Sequence, residues 1–158
     1  MNSQPNDLVT IIKREAEAVT RFVELLREEQ ETLRRGDVEA LELLVEKKTH
    51  VASSLAQLGE QRNATLAAKG FVADRVGVES WLSSESPGPG ADQAWEAVIA
   101  GASQAKELNR VNGSLIQIRM QYNTLAVEAL LKASRPLNLY GPDGQTAPYS
   151  GRRINDAV

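Results

Sequence analysis

The chain has 158 residues, 21 acidic and 18 basic side chains, a formal net charge of −3 and no cysteine. This length suits one domain with a real core, and the near-balanced charge provides no basic excess for phosphate neutralisation, which argues against nucleic acid as the main partner. Without cysteine there are no disulfides or thiolate metal sites, and a reducing compartment is permitted.

Leu, Ala, Val, Glu, Gln and Arg dominate, and aromatic residues make up only 4%. Apart from Val, these side chains lose little rotamer freedom in a helix, so the composition favours helices. The start, Met1 to Asp7, has neither a basic region nor a continuous apolar run of the kind a secretory signal needs. Nowhere do apolar residues run for the roughly 18 positions of a membrane span. A cytoplasmic protein with no membrane span is expected.

The first long helix is expected over about 5–35. Pro5 suits a first helical turn, and Leu8, Ile12, Val19, Phe22, Val23, Leu26 and Leu33 recur at three- and four-residue spacing as one apolar stripe. Glu17 with Arg21 and Glu31 with Arg35 stand four apart with the acid first, the favourable order on an exposed face. Gly36 stops this helix, and Asp37 at once offers an N-cap to a second, over about 38–69, ending at Gly70. Two helices joined so closely must be antiparallel neighbours.

The second stripe comprises Leu41, Leu44, Val45, Lys48, Ala52, Leu55, Leu58, Arg62 and Leu66. Two cations in an apolar stripe have two readings. Their stems cover the edge of the core while the charges reach water, or they form register-setting ion pairs inside the bundle.

Residues 71–91 break the pattern. A short helix is expected over about 78–84, carrying Trp81 and Leu82, followed by a loop through Ser83-Ser84-Glu85-Ser86-Pro87-Gly88-Pro89-Gly90. The third long helix is expected over about 92–133, with Trp95, Val98, Ile99, Ala102, Ala105, Leu108, Val111, Leu115, Ile118, Tyr122, Leu125 and Ala129 in its stripe. Ala102 and Ala105 are small enough to let a neighbouring helix come close. Asn112-Gly113 is its weak point, because glycine costs about 1 kcal/mol against alanine in a helix interior. The apolar spacing keeps its phase there, so the helix is expected to continue, with an irregularity where close packing needs no side chain. From Ser134 the helical period is lost and Gly141-Pro142-Asp143-Gly144 has turn chemistry. The fold class expected is therefore all-α: an antiparallel bundle of three long helices over residues 1–133 with an extended C-terminal tail over 134–158.

No residue set suggests catalysis. His50 is the sole histidine and has no metal-spaced companion. The carboxylates share helix faces with Arg and Lys, the pattern of a solvated surface, and no glycine-rich phosphate loop occurs. A non-enzyme without cofactor or metal is expected. Element lengths suggest where function lies instead. The third helix, some ten residues longer than the second at roughly 1.5 Å per residue, should overhang the bundle. The overhang would expose Leu125, Ala126, Leu130 and Leu131, followed by Leu137, Leu139 and Tyr140. Apolar surface of this kind docks another protein, or is covered by the tail or by a second copy.

Three runs in this order on a helical chain of this size resemble the FlgN family of flagellar type III export chaperones, over nearly the full length. They are Gly36-Asp37-Val38-Glu39-Ala40-Leu41 followed by Glu46-Lys47-Lys48, then Asn109-Arg110-Val111-Asn112-Gly113-Ser114-Leu115-Ile116, then Leu139-Tyr140-Gly141-Pro142-Asp143-Gly144-Gln145. The resemblance implies a cytoplasmic chaperone that binds C-terminal helices of unassembled hook-associated flagellar proteins, blocks premature assembly and delivers them to the export apparatus. It also implies client binding toward the C-terminal part but supplies no residue map. The candidate partner-binding residues, Tyr122, Leu125, Leu130, Leu131, Leu137, Leu139 and Tyr140, come from the apolar pattern. The alternative is a coiled-coil adaptor that forms a homodimer through the same stripe.

Overall fold

The computed structural model describes residues 7–138, with side chains over 7–133. Among these residues all regular structure is helical: α1 (Leu8–Arg35), α2 (Val38–Ala68), α3 (Arg75–Glu85) and α4 (Pro89–Asn138). Contacts divide the chain into two units, Met1–Leu115 and Ile116–Val158, and α4 contributes to both.

The α1–α2 junction follows from local chemistry. Gly36 adopts the left-handed region (φ 73°, ψ 28°), where a Cβ would be disfavoured. Its N–H donates to Leu33 O and the Asp37 N–H to Thr32 O, which satisfies the last carbonyls of α1. The Asp37 carboxylate then accepts from the Ala40 N–H at 3.1 Å, capping α2 as it turns back. The pairing confirms the direction. Glu15 of α1 meets Arg62 of α2, whereas Glu29, further along α1, meets Lys48, earlier in α2.

The core of the first unit gathers one end of each helix. Leu8 and Ile12 of α1, Leu66 of α2, Val78 and Trp81 of α3, and Ala91, Ala94, Trp95 and Val98 of α4 form one buried cluster. Burying an aliphatic or aromatic side chain of this size contributes roughly 1.5–3 kcal/mol each, and two indoles carry the largest areas. Away from this cluster α2 packs thinly, with Leu44 its one further buried residue. The expected α2 stripe is accordingly weaker than its sequence: Val45 is half exposed and Ala52 exposed.

Two polar layers tie the three long helices together in this unit. In one, the Arg62 guanidinium donates to a Glu15 carboxylate oxygen and lies 5.4 Å from the centre of the Trp95 ring. In the other, Lys48 Nζ donates to both oxygens of Glu29 at 3.0 and 2.9 Å. The Asn112 amide completes it, donating to Glu29 Oε1 at 2.8 Å and to the Leu26 carbonyl at 2.9 Å. Trp95 thus sits at the level of Glu15 and Asn112 at the level of Glu29, so α4 runs in the direction of α1 and against α2. Of the two readings of Lys48 and Arg62, the structure selects the ion pairs. Burial holds the Glu15 carboxyl above its ordinary value, and the attraction and hydrogen bond of Arg62 only partly oppose this.

Several boundaries differ from expectation. The short helix begins at Arg75 because Asp74 caps it, its carboxylate accepting from the Gly77 N–H at 2.9 Å. The expected loop over 83–90 shrinks to Ser86–Gly88, since Pro89 serves as the first residue of α4, where proline's missing N–H is harmless. At its other end α4 passes the expected stop at 133 and continues through Ser134 to Asn138, because the strong helix formers Leu130 to Ala133 propagate it into one more turn. The rest of the expected tail, 139–158, and Pro5 lie outside the described residues.

Helix α4 is continuous through Asn112-Gly113, with no break there. The close approach expected at Ala102 belongs to its neighbour: Ala102 is exposed, whereas a Cβ on Gly101 would lie 2.1 Å from Val19 Cγ1. Glycine at 101 lets α4 press against α1; beyond it Arg27 donates to Gln104 Oε1 at 3.2 Å, and Asn112 joins the two again.

Candidate partner-binding site

The candidate site is a stretch of one helix, residues 116–133 of α4. Only Arg119, Glu128 and Lys132 are charged in these 18 positions, and the backbone is fully helical. The local sequence supports this: Leu, Ala, Met and Gln are good helix formers. Thr124, a poorer one, donates its hydroxyl to the Met120 carbonyl at 2.9 Å.

Every candidate residue with a described side chain is solvent-facing. Tyr122 is 68% exposed, Leu125 60%, Leu130 71% and Leu131 57%. Leu137 lies on the last turn of α4 with its side chain outside the described residues, as are Leu139 and Tyr140 altogether. Sequence reasoning missed four further residues of this surface as binding candidates: Ile116, Ile118, Met120 and Val127, between 39% and 64% exposed. Ile118, like Tyr122 and Leu125, belongs to the expected apolar stripe of the third helix, which is solvent-facing over this stretch. The signal for the other three was a second set of apolar residues lying off that stripe.

The arrangement is suited to burying apolar surface on another protein and carries no reactive group. The nearest titratable side chains are exposed, and no group of three His, Cys, Asp or Glu residues able to hold a metal occurs among the described residues. His50 is exposed in mid-α2. No described helix is long and apolar enough to cross a membrane. Exposed apolar side chains on this scale are uncommon on monomeric proteins and mark interaction surfaces.

The chain is similar to known proteins. The family model described as FlgN protein matches residues 1–148. The flagella synthesis protein FlgN of Yersinia enterocolitica is 26% identical over 151 residues, covering 93% of this chain and 95% of the relative. The flagella synthesis protein FlgN of Salmonella typhimurium is 28% identical over 125 residues, covering 75% of each. No solved structure matches the chain. With a family match that spans all but the last ten residues, the chain belongs to the FlgN family of flagellar proteins.

Proposed function

We propose that this protein is a cytoplasmic export chaperone for hook-associated flagellar proteins and not an enzyme. It binds their C-terminal helices before assembly, prevents premature association and brings them to the type III export apparatus. The observation that carries this reading is the row of large apolar side chains exposed along residues 116–131 of a chain in the FlgN family. A client helix that packs into an oligomer only after export exposes an apolar face beforehand, and such a row covers it without chemistry. Each side chain buried contributes roughly 1.5–3 kcal/mol at most, while association itself costs about 4–15 kcal/mol. The balance keeps the complex reversible, as hand-over requires. The antiparallel three-helix bundle, with its polar layers, is the scaffold that presents the row.

The test is light scattering coupled to size exclusion, on the full chain with a C-terminal fragment of a hook-associated protein. A Leu125→Glu/Leu130→Glu variant serves as the comparison, since both side chains are more than half exposed and their replacement leaves the core intact. A defined complex that the variant fails to form is expected. An unaffected complex would move the site off α4. A stable homodimer that ignores the fragment would replace the chaperone reading with the homodimeric adaptor.

A further inference from the structure

The exposed apolar residues of α4 do not lie on one face. At about 100° per residue, Ile116, Met120, Val127 and Leu130 fall within an arc of about 80°, and Ile118, Tyr122, Leu125 and Ala129 within about 60°. The centres of the two stripes are about 150° apart around the helix. Gln117, Gln121, Glu128 and Lys132 form a narrow polar strip along one side between them. Members of both stripes are exposed: Met120, Val127 and Leu130 at 64%, 54% and 71%, and Ile118, Tyr122 and Leu125 at 47%, 68% and 60%.

A helix with one apolar face is read by one partner helix lying along it, whereas one that is apolar on opposing faces belongs in the middle of a packed layer. A single docked helix covers one stripe and leaves the other in water. A symmetric pair of this helix with its own copy does the same, because a two-fold contact uses one patch from each chain. The segment's charges are Arg119, Glu128 and Lys132, two bases and one acid, so electrostatics select neither strongly acidic nor strongly basic partners.

From this geometry we infer that the client supplies two helical segments of near-neutral, amphipathic character, one on each face, which hold α4 between them. The inference rests on the chaperone reading above and deepens it: the client is not a single helix laid in a groove but a chain that wraps.

Because the chain has no cysteine, single thiols report each face cleanly. In full-length protein, Val127→Cys marks one stripe, Leu125→Cys the other and Gln121→Cys the polar strip. Alkylation rates are measured for the free protein and with a saturating C-terminal fragment of a hook-associated protein, complex formation being followed in parallel by light scattering. Slowing of at least tenfold at both Val127→Cys and Leu125→Cys, with less than threefold at Gln121→Cys, is expected. A complex that protects only one stripe would overturn the two-segment client while leaving the chaperone reading in place. Protection of a stripe already present in the free protein would also overturn it, assigning that face to the chain's own tail if independent of concentration, or to a second copy if lost on dilution. Absence of any complex would remove the chaperone reading itself.

Discussion

Two glycines twelve positions apart on α4 should respond to the same substitution with opposite signs. At Gly113 nothing lies within 4 Å of where a Cβ would be placed, so Gly113→Ala gains helix propensity alone, about 1 kcal/mol. At Gly101 the same methyl would stand 2.1 Å from Val19 Cγ1 and 3.4 Å from Val19 Cβ. Valine in a helix has essentially one χ1 rotamer, so Val19 cannot swing away cheaply, and moving α4 outward would stretch the Asn112 bonds to Leu26 and Glu29. Overpacking of this sort costs about 1–3 kcal/mol, here toward the upper end. After the propensity gain, Gly101→Ala should destabilise by about 1–2 kcal/mol. Denaturant unfolding followed by far-ultraviolet circular dichroism gives both values. On heating, roughly 2–4 °C per kcal/mol is expected at this size. Stabilisation by both substitutions would show that α1 and α4 do not approach closely at Gly101, and the packing described for the first unit would be wrong. Destabilisation by Gly113→Ala would show instead that an irregularity is needed there.

Three other expectations follow from the caps and polar layers. Asn112→Ala removes one bond to a charged carboxylate and one to a carbonyl, and should cost about 2 kcal/mol; a cycle with Glu29→Gln by denaturant unfolding should show coupling of about 1 kcal/mol, and additivity would refute the bond. Glu15 is held above the ordinary carboxylate value by burial, so its contribution is fully present below that value and is lost as pH rises through the raised one. Wild type should therefore lose stability relative to Glu15→Gln as pH climbs from the ordinary carboxylate range toward neutrality, and a flat or opposite difference in unfolding free energy would contradict the burial argument. Asp37→Ala should cost about 1 kcal/mol, because its carboxylate caps α2. Asp7→Ala should cost only a few tenths, because Asp7 makes no side-chain cap bond; equal losses in thermal melts would undo the distinction.

What could be read from the sequence depended on whether the cause was local. Gly36-Asp37 announces both a stop and a start, and the antiparallel direction of α1 and α2 follows from the short connection alone. The apolar members of the α1 stripe were also legible: Leu8, Ile12, Val19, Val23, Leu26 and Leu33 are buried, and Phe22 is half-buried. Lys48 and Arg62 stood out as cations inside a stripe, but their partners did not. Glu15 and Glu29 looked like surface acids on a charged helix, although they fill the two rungs missing from the four-three series Leu8, Ile12, Val19, Phe22, Leu26 and Leu33. Both pairs are also fourteen residues apart, on α1 and on α2 alike. That matched spacing was the available signal. Asn112 gave none, because its burial depends on contacts with a helix more than eighty residues earlier. For the binding segment, searching for one stripe found Tyr122 and Leu125 and passed over Met120 and Val127 on the other side.

The two polar layers look alike in outline and differ in what satisfies them. Glu29 accepts two bonds from Lys48 and one from Asn112, so its charge is well compensated. Glu15 has Arg62 on one oxygen, while the other is buried without a protein partner, consistent with the upward displacement of its carboxyl. A buried ion pair is weak evidence for stability, since desolvation offsets much of the attraction, and the Glu15 layer fits that description. Its place beside Trp95 in the densest part of the core means that burial of the indoles carries the stability there. At the level of Asn112 the opposite holds. There Leu25, Leu26 and Leu33 of α1 and Leu44 of α2 are buried, but on α4 Leu108, Val111 and Leu115 are only partly covered, and directional bonds decide how α4 sits on α1. Sliding α4 by a turn would leave Asn112 and Glu29 short of partners and would carry Gly101 away from Val19. The hairpin junction fixes α1 against α2, but α4 arrives only after α3 and its connections, so the Asn112 layer and the Gly101 contact supply the register that no short loop imposes.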